Sequence, residues 1–185
     1  QGGGDEIRGG LGDDTLDADS AETIIEGGAG ADTLYVEGET GVSIGAGAGI
    51  ETAFGNVGND VFDGTDLTTS ANFAGGDGND ILTGGLGNDI LSGDAGNDIL
   101  KGQAGADELR GGSGDDTLYA DSADTIIEGG AGADTLYVEG ETGVSIGAGA
   151  GIETAFGNVG NDVFDGTDLT PTGNVARRDG TDTRT

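Results

Sequence analysis

The chain has no cysteine, histidine or methionine, a single proline, and only six basic residues against 36 acidic ones. The absence of cysteine and histidine excludes disulfides, thiolate or imidazole metal sites, and nucleophiles of the Cys–His or Ser–His kind. The formal net charge of −30 excludes electrostatic binding to nucleic acid or to anionic lipid. A chain this acidic, with 43 glycines, is either unstructured or neutralised by something cationic.

Two further absences concern membranes and the start of the chain. No apolar run approaches the length needed to span a bilayer, and we expect no cleavable signal sequence within these residues. Without methionine, Gln1 is not a translational start, and it falls within a repeat-like segment, GGGDEIR. We therefore expect the chain to be a section of a longer or processed protein.

What the sequence does contain is a nine-residue repeat, present five times without interruption between Gly75 and Tyr119. Each copy has glycine at its first and fourth positions, aspartate at the sixth, and isoleucine or leucine at the eighth, as in GGDGNDILT. A unit this short buries nothing alone, so the period predicts an all-β solenoid of stacked turns. The first six residues predict a turn and the last three a strand, whose central residue points inward. The predicted core ladder is Leu82, Leu91, Leu100, Leu109, Leu118 and Leu136.

A longer repeat of 102 residues encloses the short one, because Gly9–Thr68 recurs as Gly111–Thr170. Three positions differ between the copies: Leu11 and Ser113, Asp17 and Tyr119, Glu22 and Asp124. This identity indicates a recent tandem duplication. We expect one continuous solenoid over residues 1–185, with a full copy at 9–110 and a partial copy at 111–185.

Degenerate segments interrupt the clear repeats. Residues 36–54 and 138–156 lack the loop aspartate, and we expect them to form turns without a metal ion. The first of them predicts short strands near Val42–Ile44 and Ile50–Phe54. Gly64–Ala74 is two residues longer than a nonapeptide and predicts a small bulge. The tail at 171–185, which holds half of the basic residues, is expected to fray or to cap the solenoid.

Two nonapeptides make one turn of the predicted solenoid, so residues eighteen apart stack on one edge. One edge then carries Asp80, Asp98, Asp116 and Asp134, and the opposite edge carries Asp89 and Asp107. Carboxylates about 4.8 Å apart in neighbouring strands repel unless a cation lies between them. Carboxylates and glycine-loop carbonyls form an all-oxygen environment that selects Ca²⁺, whose flexible coordination suits loop carbonyls better than that of Mg²⁺.

The consensus GGxGxDxUx, where U is a large aliphatic residue, resembles the repeat of the RTX (repeats-in-toxin) family, whose parallel β-roll binds calcium in these loops. The resemblance is fullest over Gly75–Tyr119 and Gly129–Tyr137. It implies that sixth-position aspartates and loop carbonyls from two turns share each of several Ca²⁺ ions. The implied carboxylate ligands are Asp14, Asp32, Asp60, Asp80, Asp89, Asp98, Asp107, Asp116, Asp134 and Asp162. The implied carbonyl ligands belong to the loops at Gly9, Gly27, Gly75, Gly76, Gly78, Gly84, Gly85, Gly87, Gly93, Gly96, Gly102, Gly105, Gly111, Gly112, Gly114 and Gly129.

Most of the implied sites pair aspartates eighteen residues apart. These pairs are Asp14/Asp32, Asp80/Asp98, Asp98/Asp116, Asp116/Asp134 and Asp89/Asp107. The pairs Asp60/Asp80 and Asp162/Asp182 depart from this spacing by two residues. Thr23 and Thr125 replace the aspartate and should interrupt the opposite-edge rows. An alternative interpretation is that the GND and GDD motifs only form turns, as Asn and Asp often do.

Two functions fit the repeat. The first is structural: a calcium-binding section of a large secreted or bacterial cell-surface protein, such as an adhesin stalk, S-layer or filament subunit, which stacks end to end. The alternative is a calcium-dependent folding or secretion module of an exported RTX enzyme or toxin. The resemblance implies export unfolded by a type I system and folding in external calcium. We expect no enzyme within this chain, since the repeat accounts for its carboxylates as ligands or surface charges, and no membrane insertion.

Two other functions, ice binding and an aromatic carbohydrate or partner surface, fit the sequence less well. Ice binding by solenoids requires outward rows of threonine, and the third loop position carries none. The aromatic residues, such as Tyr35 and Tyr137, could form a carbohydrate or partner surface, but core or edge packing explains most of them.

The two periods together make a geometric prediction. If residues 36–54 supply two half-turns, the 102-residue unit contains eleven, which is an odd number. Each copy would then lie on the opposite edge from the last, as though related by a two-fold screw. The hypothesis requires Asp14 and Asp116 to lie on opposite edges.

Overall fold

The computed structural model describes residues 4–147 and 149–164, together with two short strands near the end of the chain. Every regular element among these residues is a β-strand. This part of the chain therefore contains no helix able to cross a membrane. The strands are β1 (Glu6–Leu11), β2 (Thr15–Ala18), β3 (Ile24–Ala29), β4 (Thr33–Val36), β5 (Ser43–Ile44), β6 (Thr52–Phe54), β7 (Val61–Asp63), β8 (Asn72–Asp77), β9 (Ile81–Thr83), β10 (Ile90–Ala95), β11 (Ile99–Lys101), β12 (Glu108–Ser113), β13 (Thr117–Ala120), β14 (Ile126–Ala131), β15 (Thr135–Val138), β16 (Ser145–Ile146), β17 (Thr154–Phe156), β18 (Val163–Phe164), β19 (Val175–Ala176) and β20 (Thr183–Arg184).

Odd-numbered and even-numbered strands form the two opposite faces of the molecule. Even strands β2 to β14 make a seven-stranded sheet, and odd strands β5 to β19 make an eight-stranded sheet. Strands β1 and β3 form a separate pair, as β16, β18 and β20 form a separate triplet. Each strand pairs in parallel with the strand two places along the chain, as β10 does with β12. The fold is therefore the predicted parallel β-solenoid, with two strands and two turns in each coil.

The core is a double ladder of aliphatic side chains between the two faces. Leu91 lies opposite Leu109 in one sheet, and Leu100 lies opposite Leu118 in the other, each eighteen residues apart. All the predicted core leucines have an exposed fraction of 0%: Leu82, Leu91, Leu100, Leu109, Leu118 and Leu136. Phe62 and Phe73 fill the same layer, with ring centroids 5.7 Å apart in an edge-to-face contact. The prediction that the central strand residue points inward is confirmed.

The prediction of three-residue strands after six-residue turns is wrong for part of the repeat. Strand β10 has six residues and continues through the first three residues of the next loop. Its pairing passes from Ser92–Arg110 to Asp94–Gly112 with the register unchanged, so Gly93 and Gly111 lie opposite each other in the extended strands. A Cβ on Gly93 would lie 2.5 Å from the carbonyl oxygen of Gly111, so only glycine allows the two backbones to approach here. The first repeat glycine thus extends the strand instead of beginning the turn.

Residues 36–54 continue the solenoid with the two strands that their sequence predicts, β5 and β6. Val42, Ile44, Ile50 and Ala53 are buried in the common core. In place of the loop aspartate, Glu51 accepts the main-chain N–H of Asp32 through Oε2 at 2.9 Å, nineteen residues away. The spacing is one residue longer than in the regular repeat, and the longer glutamate side chain spans the difference. Glu153 repeats this contact with Asp134 at 2.7 Å in the second copy, where Ala148 lies outside the described residues.

The two additional residues between β7 and β8 are accommodated in a turn. The N–H of Thr65 donates to Asp63 Oδ1 at 3.0 Å, and the N–H of Leu67 donates to the carbonyl of Gly64 at 2.8 Å. The Leu67 side chain then packs, half-buried, against the core. The predicted irregularity is therefore present in the connection and leaves both neighbouring strands regular.

Equivalent strands of the two 102-residue copies lie on opposite faces. Strand β2 belongs to the seven-stranded sheet, whereas β13, which has the equivalent sequence, belongs to the eight-stranded sheet. Asp14 lies in the turn from β1 to β2, and Asp116 in the turn from β12 to β13, so they lie at opposite edges. The prediction of an odd number of half-turns is confirmed. In the tail at 171–185, β19 and β20 pair with β17 and β18, and the other residues, including Asp182, lie outside the described part.

Candidate metal centre

The loop aspartates are joined into rows by hydrogen bonds between successive coils. The main-chain N–H of Asp98 donates to Oδ1 of Asp116 at 2.8 Å, and the N–H of Asp80 donates to Oδ1 of Asp98 at the same distance. The pairs Asp116/Asp134, Asp89/Asp107 and Asp14/Asp32 repeat this contact at 2.8 Å. Asp60 and Asp80 form it at 2.7 Å despite their spacing of twenty residues. The structure therefore brings together all the aspartate pairs that the sequence places in the described residues.

The second oxygen of most of these carboxylates has no partner. Oδ2 is buried and accepts no hydrogen bond in seven aspartates: Asp14, Asp32, Asp80, Asp98, Asp107, Asp116 and Asp134. All of them except Asp14 are buried with at most 1% of their surface exposed. A buried carboxylate oxygen without a donor or a cation is strongly unfavourable, because burial removes its hydration. Seven repetitions of the same arrangement fit cations bound between successive coils.

Main-chain carbonyls of the next coil converge on the same space. A Cβ placed on Gly9 would lie 2.6 Å from Asp14 Oδ2 and 2.7 Å from the carbonyl oxygen of Gly27. The same relation links Gly93 with Asp98 and the Gly111 carbonyl, and Gly111 with Asp116 and the Gly129 carbonyl. The first repeat glycine thus leaves a space bordered by a carboxylate and a carbonyl oxygen. Such a donor set fits a calcium ion, which takes six to eight oxygen ligands in variable geometry.

Three of the candidate aspartates differ from the rest in their second oxygen. Oδ2 of Asp89 accepts the N–H of Gly85 at 2.7 Å, and Oδ2 of Asp60 accepts the N–H of Asn56 at 3.2 Å. Oδ2 of Asp162 accepts the N–H of Asn158 at 3.0 Å. Both oxygens of these carboxylates accept hydrogen bonds, because Oδ1 of each also has a main-chain donor. They therefore need a cation less than the other seven do. The ligand roles of all ten stay predictions.

Burial perturbs the acidity of the rows. Desolvation, followed by neighbouring carboxylates, raises the pKa of Asp98 and Asp107 to about 7 and that of Asp80 and Asp134 to about 6. Burial likewise raises the pKa of Asp116. A nearby divalent cation would stabilise the charged form and oppose these shifts.

The three basic side chains that the structure describes do not compensate these carboxylates. Arg8 pairs with Glu6 and Glu26, and Arg110 pairs with Glu108 and Glu128, all on the outer strand faces. The third, Lys101, lies with Nζ 5.2 Å from the centroid of the Tyr119 ring. Among the described residues no three acidic side chains converge, so main-chain carbonyls must provide much of any metal coordination.

A second ladder, which the sequence did not reveal, runs beside the aspartate rows. Oδ1 of Asn79 accepts the N–H of Asn97 at 2.7 Å, and Oδ1 of Asn97 accepts the N–H of Asp115 at 2.8 Å. Here each side chain bonds to the following coil, whereas the sixth-position aspartates bond to the preceding one. The fifth repeat residue is therefore a structural link between coils. The recurring GND motif was the available signal, but the turn-forming tendency of Asn and Asp concealed this longer-range contact.

Exposed and half-buried aromatic residues stack on each other along the outer faces. The ring centroids of Tyr119 and Tyr137 are 5.1 Å apart, and those of Tyr137 and Phe156 are 4.8 Å apart, with nearly parallel planes. Tyr35 and Phe54 form a similar pair at 5.2 Å on the other face. The ring faces are thus covered largely by each other, which supports the packing interpretation of these residues.

The parallel β-solenoid and its rows of unpartnered carboxylates define a calcium-binding repeat protein. The chain belongs to the RTX calcium-binding nonapeptide repeat family, whose four-copy model matches residues 1–34, 45–66, 72–100, 92–126, 101–136 and 147–168. These matches span well over half of the chain and include the regular repeats between Gly75 and Tyr119. No curated protein and no solved structure matches the chain.

Proposed function

We propose that this chain is a calcium-folded structural section of a large secreted or bacterial cell-surface protein, such as an adhesin stalk, an S-layer or a filament subunit. The calcium ions would bind between coils, at the aspartate pairs of the two edges. The unpartnered, buried Oδ2 atoms carry this proposal, because seven carboxylates desolvated in this way strongly destabilise the fold in their charged form unless a cation compensates them.

The duplicated architecture supports a structural role. The two 102-residue copies differ at three positions in their first sixty residues, and the second copy continues the sheets of the first without a break between β10 and β14. Repetition of this kind adds length and surface, and does not assemble a unique constellation of reactive groups. The parallel strands at the ends of a solenoid have unpaired edges, which favours end-to-end stacking on another copy or on further repeats.

The alternative is a folding or secretion module of an exported RTX enzyme or toxin. Membership of the family favours this function, since nonapeptide repeats can serve any exported protein that must fold outside the cell. In either case the chain would cross the envelope unfolded and gain its structure in external calcium. We infer that the regular array of near-identical copies favours the structural role.

The test of calcium-coupled folding is far-UV circular dichroism of the chain in EDTA and through a calcium titration into the millimolar range. We expect disordered signal in EDTA and a cooperative change to β-structure with calcium. An equal concentration of magnesium is the matched control and should not produce the change, because Mg²⁺ demands a tighter octahedral geometry. A chain that is fully β-structured in EDTA, or disordered in calcium, would contradict the proposal.

A further inference from the structure

The turn between β13 and β14 does not have the nonapeptide pattern, yet it lies directly beside a candidate metal ligand. Thr125 stands where the sixth-position aspartate is expected, eighteen residues after Asp107, and the sequence predicts an interruption of the row there. The structure shows contact instead: the N–H of Thr125 donates to the carbonyl of Asp107 at 2.8 Å. The N–H of Asp107 donates to Oδ1 of Asp124 at 3.1 Å. Asp124 thus takes the place of the missing aspartate, one residue early.

The Asp107 side chain is buried beside this turn, and one of its oxygens has no partner. Asp107 has an exposed fraction of 0%; its Oδ1 accepts the N–H of Asp89 at 2.8 Å, but its Oδ2 has no partner. The contact between Asp107 and Asp124 is the one that joins the regular aspartate pairs, since the N–H of Asp98 donates in the same way to Oδ1 of Asp116. Two carboxylates at this separation repel unless they share a proton or a cation.

Asp124 has capacity for a further ligand. Its Oδ1 accepts the N–H of Asp107, and its Oδ2 accepts the N–H of Asp121 at 2.8 Å, which closes the turn and fixes the carboxylate. Each carboxylate oxygen can accept more than one contact, so both remain able to bind a cation. The turn therefore holds a prearranged carboxylate against the main chain of Asp107, whose own Oδ2 has no partner.

We propose that Asp107 and Asp124 together bind an additional calcium ion, at a site that lies outside the nonapeptide pattern and ends the Asp89–Asp107 row. The site rests on the proposed function, because it requires the neighbouring repeats to be folded. Water and main-chain carbonyls would complete the coordination.

The first copy of the long repeat offers an internal comparison. There the residue equivalent to Asp124 is Glu22, whose Oε2 accepts the N–H of Asp19 at 2.6 Å and closes the same turn. The residue equivalent to Asp107 is Asp5, whose carbonyl accepts the N–H of Thr23 at 2.9 Å, as the carbonyl of Asp107 accepts the N–H of Thr125. The backbone contact is thus the same in the two copies, and the acidic residue that closes the turn differs in length.

The test counts the calcium ions bound to the whole chain by native mass spectrometry and measures affinity by isothermal titration calorimetry. The variant Asp124→Asn removes the charge and keeps one acceptor oxygen, which can serve the N–H of either Asp107 or Asp121 but not both. It should bind one ion fewer than the unmodified chain, while circular dichroism at saturating calcium stays unchanged. Asp121→Asn, in the same turn, is the matched control and should keep the full count.

A second variant covers the case in which Asp124→Asn does not fold. Asp124→Glu restores the residue of the first copy, which closes this turn, and should fold while losing the ion or binding it at least about tenfold more weakly. An unchanged count and affinity in the variants that fold would overturn the inference. The absence of calcium binding by the unmodified chain would instead refute the proposed function, so the two failures are distinguishable.

Discussion

Asp98 and Asp116 are linked through only one of the two carboxylate oxygens of Asp116. The N–H of Asp98 donates to Oδ1 of Asp116 at 2.8 Å, while Oδ2 of Asp116 has no partner. The side chain therefore has two separable tasks. One oxygen sets the spacing of successive coils, and the other is left for a ligand. An asparagine can perform the first task but cannot supply the charge needed for the second.

This division predicts the behaviour of Asp98→Asn. The substitution keeps the Oδ1 acceptor but removes the negative charge from the space between two coils, where Asp98 would contribute to two sites. We expect the calcium concentration at the midpoint of folding to rise by at least about tenfold. Circular dichroism during calcium titration measures the midpoint.

The control is Asp77→Asn, which removes an equal charge from an exposed position near the same edge. Its midpoint should shift by much less, because an exposed carboxylate remains hydrated. Equal shifts in the two variants would show that net charge, and not the buried row, determines calcium binding.

The aliphatic ladder predicts that substitutions at inward-facing and outward-facing strand positions differ in their cost to stability. Leu100 is fully buried between Leu82 and Leu118, so Leu100→Ala should lower the free energy of unfolding by about 2–5 kcal/mol. Ile90 is 42% exposed, and Ile90→Ala should cost much less. Urea unfolding at saturating calcium gives both values, and similar losses would contradict the inward-facing assignment of the central strand residue.

A third prediction concerns a glycine that the coil-to-coil contact requires. Gly112 has φ of 114°, and a Cβ there would overlap the carbonyl oxygen of Asp94 in the preceding coil. Gly112→Ala should therefore destabilise the folded chain by more than about 1 kcal/mol. Gly45→Ala is the control, since no atom lies within 4 Å of its Cβ and its φ is not positive. A stability of Gly112→Ala equal to that of Gly45→Ala, in urea unfolding with calcium, would refute this account.

The acidity of the rows predicts opposite pH responses with and without calcium. The pKa of Asp98 in the folded chain is about 7, above the 3.8 of an unperturbed aspartate, because of burial and then of its charged neighbours Asp80, Asp116 and Asp94. The folded state thus binds more protons than the unfolded state between these values. This contribution to stability is complete below pH 3.8 and is lost as the pH rises through about 7.

In EDTA, we therefore expect more β-structure at pH 5 than at pH 8. In calcium the response reverses, because the ion binds deprotonated carboxylates and competes with protons, so the folding midpoint should need more calcium at pH 5. Circular dichroism at both pH values, with and without calcium, tests the two signs. A loss of β-structure on acidification in EDTA would show that the buried carboxylates do not control folding.

The sequence predicted the fold well because the repeat is strict. A nine-residue period with one aliphatic position defined the coil, the two-strand turn and the buried leucines such as Leu100. The odd number of half-turns followed from counting alone. By contrast, the extension of strand β10 through Gly93 could not be read from the sequence, because a glycine predicts freedom of the backbone without saying whether the strand continues through it.

The candidate site was predicted at the level of its aspartates but not of their contacts. The eighteen-residue spacing placed Asp98 beside Asp116, yet the different uses of Oδ1 and Oδ2 depend on side-chain geometry. Glu51 and Asp124 were missed because each stands one residue away from the expected position. Both are recognisable afterwards as carboxylates next to a threonine in a coil that otherwise lacks a loop aspartate.

The exchange of faces between copies affects the shape of a longer array. The irregular connection between β4 and β5 lies at one edge, and its counterpart between β15 and β16 lies at the other. Any bend that this connection imposes toward one side is then opposed by an equal bend in the following copy. An even number of copies would consequently form a straight rod, whereas a unit with an even number of half-turns would accumulate the same deflection and curve into an arc.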